Sequence, residues 1–256
     1  MSDTRIPPER PQTRENFSGE RRESYNYEHF DVAVADVDRG VTAGDDAIDV
    51  PLYTLDGEIV QLADLWASGP IVVEFGSITC PIFTKKVEAM DALAEKYADG
   101  VDFYVVYTRE AHPGQNYPAH RCLEEKLSNA ADASQYESIA RTVLVDGVDG
   151  TMHTKYVPLP NAVYLIGTDG VVAHQADWLD PEALDDAVEA LLESGGRGGD
   201  VTPEALRNNF EKPTRDSVVE LYRVLSRAGP GSLRDFLRTM PRMLLYRFRT
   251  RLRKNR

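Results

Sequence analysis

Cysteine is nearly absent from this chain: only Cys80 and Cys122 occur in 256 residues. Two thiols cannot build a disulfide scaffold, and such sparing use fits a reducing compartment. Long apolar runs are missing too. No stretch approaches the roughly 18 residues that a membrane helix needs. The opening segment, MSDTRIPPERPQTRENF, is too polar and proline-rich for a secretory signal or an anchor. The expected location is therefore cytoplasmic. Lysine is the third scarcity, with seven against 22 arginines, while Asp and Glu total 42. An acidic, lysine-poor surface points to a halophilic, salt-adapted cytoplasm, with an ordinary acidic protein as the plainer reading.

The net charge of −13 is uneven. Residues 234–256 carry nine Lys/Arg against Asp235 alone, or +8, which leaves −21 on the rest. That sign excludes nucleic-acid binding by the main domain. The basic tail carries Leu237, Met240, Met243, Leu244, Leu245, Tyr246, Phe248 and Leu252 among its arginines. Such a segment suits peripheral contact with an anionic membrane through residues 232–256. Docking on the acidic main domain, nucleic-acid binding and a solvated helix stay open beside it.

Residues 1–40 read as a disordered arm, poor in aliphatics and scattered with charge. PLYTL and EIVQL flank Asp56-Gly57 as two short strands around a tight turn. Ile71–Phe75 suits a buried strand. Phe83, Val87, Met90, Leu93, Ala94 and Tyr97 then recur at helical spacing, which predicts a helix over 80–97 ended by Gly100. Val101–Tyr107 is a second buried strand. A helix from about Pro118 follows, with Leu123 and Leu127 one turn apart, and then a strand over 142–145. Ala162–Ile166 and Val171–His174 flank Asp169-Gly170 as a hairpin. Asp180-Pro181 opens a closing helix with Leu184, Val188, Leu191 and Leu192 on its buried stripe. Gly195 to Gly199 read as a flexible linker. Thr202-Pro203-Glu204 would cap a short helix beyond it. Val218, Leu221, Tyr222 and Leu225 would line another, broken by Gly229-Pro230-Gly231 before a last helix from Ser232. Strand–helix alternation closed by a hairpin and a helix describes a thioredoxin-like α/β fold, with an inserted helix and strand between its halves.

The stretch with chemical content is FGSITCPIF, residues 75–83. A buried strand runs into a short loop, and Cys80 opens the next helix. Open N–H groups and the helix dipole favour a thiolate there, so a cysteine pKa below about 8.5 is expected. Pro81 suits the first helical turn, where its missing N–H costs nothing. Ser77 and Thr79 are placed to donate hydrogen bonds to the sulfur or to a developing anion. Phe83 stands where a Cys-x-x-Cys pair would need its second thiol, so Cys80 cannot close a local disulfide. It would attack a substrate, become modified, and be released by another thiol. A buried helix-start cysteine without a role is the plain alternative.

FGSITCPIF resembles the active-site segment of the iodothyronine deiodinases, Phe-Gly-Ser-x-Thr-selenocysteine-Pro-x-Phe, with Cys80 at the selenocysteine. VVYTREAHP, ending in Glu110-Ala111-His112-Pro113, is similar to that family's strand and Glu-Ala-His loop. His120–Leu127 resembles its next helix, and VLVDGVDG and LPNAVYLIGTDGVVAH its closing strands. The resemblance spans about residues 50–192. It implies that Cys80 is the nucleophile, that His112 and His120 are the site histidines, and that Glu110 supports the first of them. Pro81, Phe83 and Pro160 would border the substrate, with Pro160 in the cis form that faces the sulfur in thioredoxin folds. Cys122 is a possible resolving thiol, or ordinary packing. Three departures stand out. Cysteine replaces selenocysteine, the loop between His112 and His120 is short, and no membrane span precedes the domain. A peroxiredoxin signature fits less well, because Val73 occupies its proline position.

The expected organisation is an arm over 1–40, a thioredoxin-like domain over 41–194, and a linker with a helical basic extension over 195–256. The expected function is a thiol-dependent oxidoreductase acting on a small molecule, with reductive dehalogenation of iodinated phenols as the specific form. An external thiol or thioredoxin-type protein would be the reductant, and no metal or cofactor is implied. A homodimer is compatible with this reading. A thiol peroxidase and a redox-inactive adaptor with a basic partner-binding tail are the alternatives. Because the glycine-rich linker separates the last helix from the domain, removal of residues 232–256 is expected to leave the redox chemistry unchanged.

Overall fold

The computed structural model describes residues 40–241, except 157, 158, 208, 210, 211 and 213. The arm over 1–39 and the basic half of the tail, 242–256, lie outside the described residues. Strands β1 (Pro51–Thr54) and β2 (Ile59–Gln61) pair antiparallel around the Asp56-Gly57 turn and lead into helix α1 (Leu62–Ser68). Strand β3 (Ile71–Gly76) is buried at every position, as its apolar run requires. Helix α2 (Pro81–Lys96) follows, then β4 (Asp102–Tyr107), α3 (Leu123–Tyr136), β5 (Thr142–Asp146) and α4 (Thr151–Lys155). The hairpin β6 (Val163–Ile166) and β7 (Val172–Ala176) precedes α5 (Pro181–Glu193), β8 (Glu204–Leu206) and α6 (Arg215–Ala228). Residues 230–241 are helical as well.

The eight strands run in the order β2-β1-β5-β4-β3-β6-β7-β8. At the centre β3 pairs parallel with β4 and antiparallel with β6, and β6 pairs antiparallel with β7. That four-stranded arrangement, with α2 between β3 and β4 and α5 after β7, is the thioredoxin-like fold. Helix α3 and β5 are the insertion, and β5 lies parallel to β4. Ile71, Val73 and Phe75 pack on one face of the sheet with Met152 and Tyr156 of the α4 region. Val72 faces the other way, towards Met90 and α5, while Val105 and Tyr107 meet α2 and α3. Both faces are covered, so the central strands carry apolar side chains at successive positions rather than in alternation.

Four local readings change. The helix expected from Pro118 begins at Leu123, with Cys122 as its N-cap. The Glu125 carboxylate in its first turn accepts from the Arg121 N–H at 2.9 Å, which fixes the entry of the chain there and leaves His120 in the preceding loop. Residues 204–206 form β8 against β7 rather than a helix. The glycines after α5 are ordered: Gly195 and Gly196 adopt positive φ, and Asp169 accepts from the N–H groups of Gly198 and Gly199. In α6 the buried row is Val224, Leu225 and Ala228, while Val218 and Tyr222 face solvent at 58% and 65% exposure.

The largest correction concerns the extension. It is not set apart from the domain. Helix α6 packs on α2, and Gly114 meets the turn that follows α6 so closely that a Cβ there would lie 2.2 Å from the Ala228 carbonyl oxygen. The C-terminal helices therefore sit on the mouth of the fold, at the carboxyl ends of β3 and β4.

Candidate active site

The sequence places a six-residue buried strand directly before Ser77-Ile78-Thr79-Cys80, so the loop emerges at the edge where open α/β sheets bind ligands. Gly76 is required there, because a Cβ would fall 2.5 Å from the Phe83 ring. Phe83 is itself fully buried and closes the floor of the loop. Cys80 has extended backbone angles and is the N-cap of α2, with Pro81 at the first helical position, as the sequence indicates. Its carbonyl accepts from Thr84 through both the backbone N–H at 3.0 Å and the hydroxyl at 3.2 Å.

The protonation of Cys80 runs opposite to expectation. Burial pushes its thiol up to about 12, against the pull of the Phe83 and Ile82 amides. The Glu74 and Glu110 carboxylates push it further in the same direction. No side-chain hydrogen bond caps the helix. The dipole argument is correct in sign but loses to desolvation, since Cys80 is 1% exposed. In this closed arrangement Cys80 carries a neutral thiol.

Glu110 organises the space beside it. The carboxylate accepts from the Thr79 and Tyr107 hydroxyls at 2.5 Å each and from Asn129 Nδ2 at 3.1 Å. His120 Nε2 lies 3.1 Å from the same carboxylate. Two of the donors are themselves acceptors: Ile78 N–H donates to the Tyr107 hydroxyl at 3.2 Å, and His112 N–H to the Thr79 hydroxyl at 3.2 Å. The loop before Cys80 is thus tied to the Glu-Ala-His loop through one dry carboxylate. Burial alone would raise the Glu110 pKa, but His120, Thr79 and Tyr107 together outweigh it and hold Glu110 low. Burial also lowers His120 and takes His112 down to about 3, so both imidazoles are neutral near pH 7.

This geometry brings together Ser77, Thr79, Cys80, Glu110, His112 and His120, and changes three of their roles. The histidine held by Glu110 is His120; His112 joins the network through its backbone and carries Phe236 against its ring at 6.1 Å. Thr79 gives its proton to Glu110 rather than to sulfur, while Ser77 accepts from Ala111 N–H at 3.3 Å. The Leu159–Pro160 bond is trans, since no cis peptide occurs among the described residues. The adjoining Asn161 is anchored instead, its amide donating to Glu74 and its carbonyl accepting from Leu179 N–H, and trans is the default for such a bond. Cys122 remains a free thiol at the start of α3.

Two members of the network escaped the sequence. Tyr107 reads there only as the end of a buried strand. Asn129 falls on the same helix face as the buried Lys126, Ala130 and Ala133, and a polar residue on that stripe was the available signal. Among the described residues no group of three potential ligands is placed to hold a metal ion, and no helix is long and apolar enough to cross a membrane.

Comparison with known proteins bears on these residues. A thyroxine 5-deiodinase from Sparus aurata is 33% identical over 112 residues, covering 40% of this chain and 42% of that protein. A type I iodothyronine deiodinase from Xenopus laevis is 29% identical over 132 residues, covering 48% and 52%. The chain thus matches about half the length of these curated relatives. Among solved structures, a hypothetical protein from Sinorhizobium meliloti superposes with a TM-score of 0.51 at 20% identity, over 66% of this chain and 93% of that one, which is a likeness of fold. The iodothyronine deiodinase family model matches residues 22–177, more than half of the sequence and every residue of the network around Cys80. The chain belongs to the iodothyronine deiodinase family, and that membership supports a redox role.

Proposed function

We propose that the protein is a thiol-dependent reductase that removes halogen from a small iodinated phenol, with Cys80 as nucleophile and an external thiol or thioredoxin-type protein as reductant. The observation that carries this reading is the position of Cys80: it is the N-cap of α2, one residue after the Thr79 hydroxyl that Glu110 holds at 2.5 Å. Once water reaches the pair and relieves the burial that raises the thiol and lowers the imidazole, His112 accepts the thiol proton. The thiolate sulfur then bonds to iodine, the carbon–iodine bond breaks with its electron pair on carbon, and that carbon takes the proton back from the imidazolium. The product is a sulfenyl iodide. One external thiol displaces iodide to give a mixed disulfide, and a second thiol releases Cys80 and leaves as the disulfide. In sum the aryl iodide is reduced, two thiols are oxidised, and hydrogen iodide is formed. Glu110 stays ionised throughout and fixes the loops on either side of the sulfur.

The test is turnover by the purified full-length chain with a dithiol, comparing iodinated phenols with peroxide. Iodide release that disappears in Cys80→Ser is the expected result. Peroxide consumption without iodide release would replace this reading with a thiol peroxidase, and iodide release that survives the substitution would overturn it.

A further inference from the structure

The thiol that does this chemistry is sealed. Cys80 is 1% exposed, and Ser77 and Thr79 not at all. Against the Glu-Ala-His loop and the first turns of α2 lie α6 and residues 230–241, which follow α5 and fall beyond residue 177, where the match to the family ends. We propose that α6 and the helical residues 230–241 form a removable cover over the Cys80 site, and that substrate reaches the sulfur only when this cover lifts. The proposal rests on Cys80 as nucleophile.

The contacts that hold the cover are mainly those of a joint. On the Glu-Ala-His loop, the Ser232 hydroxyl donates to the His112 carbonyl at 3.1 Å, and Gly231 N–H to Gln115 Oε1 at 2.7 Å. Asn116 donates to the Ala228 and Arg227 carbonyls at 3.0 and 2.8 Å. On the first turn of α2, Thr84 bonds Glu220 and Lys85 Nζ meets Ser217 Oγ at 3.2 Å. At the end of α3, Glu137 takes Arg223 at 2.8 Å and Arg227 beside it. The apolar seat is narrow, made by Val224, Leu225 and Ala228 of α6. Interfaces of this polar kind permit relative motion, whereas large apolar ones suppress it. Gly229, at φ +116, makes the turn between the two helices of the cover, a backbone conformation that other residues rarely adopt.

The position of the cover assigns it to the site. Phe236 packs edge-on against the His112 ring, and Ser232 holds the carbonyl of that same residue. Lifting the cover therefore hydrates His112 and Cys80 together. Loss of the burial that keeps the thiol protonated then lets the amides of the first turn of α2 favour the thiolate. Closed, the site is inert; open, it is reactive.

Alkylation of Cys80 by iodoacetamide, in the full chain carrying Cys122→Ser, tests the idea independently of any substrate. Arg223→Gln with Arg227→Gln removes both ties to Glu137 from the surface of the cover, and the rate should rise about tenfold. Glu137→Arg should do the same, and adding Arg223→Glu and Arg227→Glu to it should restore the slow rate. Equal rates in the parent and the Arg223/Arg227 variant, or no rescue by the charge swap, would overturn the cover. A parent that reacts as fast as an unstructured cysteine would also overturn it, while leaving the nucleophile reading intact. Hydrogen exchange on the full-length protein needs no variant: the amides of 215–241 should exchange well before those of β3. Equal protection of the two segments would mean a fixed element of the fold and sink the proposal.

Discussion

Two carboxylates bracket the Cys80 site and hold their surroundings in different ways. Glu110 is fully buried and gathers two hydroxyls, an amide and an imidazole, all from the thioredoxin-like domain. Glu137 closes α3 at 7% side-chain exposure and gathers two arginines from the cover, Arg223 and Arg227, which are 41% and 16% exposed. The first knot is short, dry and made of groups with little freedom to lose. Water and salt cannot compete for it. The second is built from long charged side chains at the edge of the solvent, and at the 41% exposed Arg223 screening and side-chain entropy consume part of the Coulomb gain. One carboxylate makes a cradle that does not move, and the other makes a clasp.

The largest expected effect follows from removing the cradle. Glu110→Ala would strand the Thr79 and Tyr107 hydroxyls and Asn129 around a cavity, and each buried polar group left without a partner costs about 1–3 kcal/mol. A loss of roughly 3–5 kcal/mol in unfolding free energy is expected, read as a lower urea midpoint at unchanged slope. A loss below about 1 kcal/mol would put Glu110 on a level with a surface acid and erase the contrast with Glu137.

His112 sits where cradle and cover meet, and its titration reports on both. Burial lowers it from the usual 6.5 to about 3. The unfolded chain therefore takes up a proton that the folded one refuses, and stability falls as pH drops from 6.5 towards 3. Glu110, also held low, contributes stability that is present above its ordinary 4.5 and lost as pH falls through its folded value. His112→Gln should reduce the slope of the stability curve from pH 6.5 down to about 3, while the Glu110 contribution below 4.5 stays in place. Urea titrations across that range separate the two groups, and an unchanged slope would mean that the imidazole is hydrated. Turnover in His112→Ala should fall by about 10²-fold, the usual cost of a lost proton carrier. Unchanged turnover would reduce His112 to a seat for Phe236.

How much of this was legible in the sequence depends on how local the physics is. The loop before Cys80 and the helix it opens are specified by neighbours within a few residues, Gly76, Pro81 and the apolar spacing of α2, and they stand as read. The sign of the Cys80 titration was not local. A helix N-terminus lowers a thiol, but the core in which Cys80 sits, with Val105, Tyr107, Ala111 and Tyr117 from beyond its own helix, makes burial dominant. The partnership of Glu110 with His120 likewise depends on where α3 starts, and a Glu-Ala-His triplet suggests the nearer histidine. The run GGRGG has the composition of a flexible linker, yet two of its glycines close α5 at positive φ and two present their amides to Asp169. Composition cannot tell a glycine that permits motion from one that a fixed turn requires.

A smaller effect is expected at the clasp. Glu137→Ala should cost no more than about 1 kcal/mol of global stability, because the domain keeps its core when the cover loosens. Raising the salt concentration should shrink even that difference, as screening already weakens the pairs in the parent. The comparison fails if Glu137→Ala lowers the urea midpoint as far as Glu110→Ala does, since the cover would then be part of the cooperative fold.

The smallest effect is expected on the outer face of the cover. Helical spacing suggests that Val218, Leu221, Tyr222 and Leu225 form one buried stripe, but Val218, Val219 and Tyr222 are 58%, 61% and 65% exposed, and the buried row is turned towards Val224, Leu225 and Ala228. The reason lies in α2 and the end of α3. Thr84, Lys85 and Glu137 attract Glu220, Ser217, Arg223 and Arg227, and those four polar contacts fix which side of α6 faces inwards. Tyr222→Ser should therefore change unfolding free energy by less than about 0.5 kcal/mol, the ordinary range for a surface position. The Cys80 alkylation rate should stay at the parent value. A loss above about 1.5 kcal/mol would show that the tyrosine is buried and that the helix is rotated back towards its sequence stripe. The ties to Glu137 would then be broken, and the cradle and the clasp would no longer be separable.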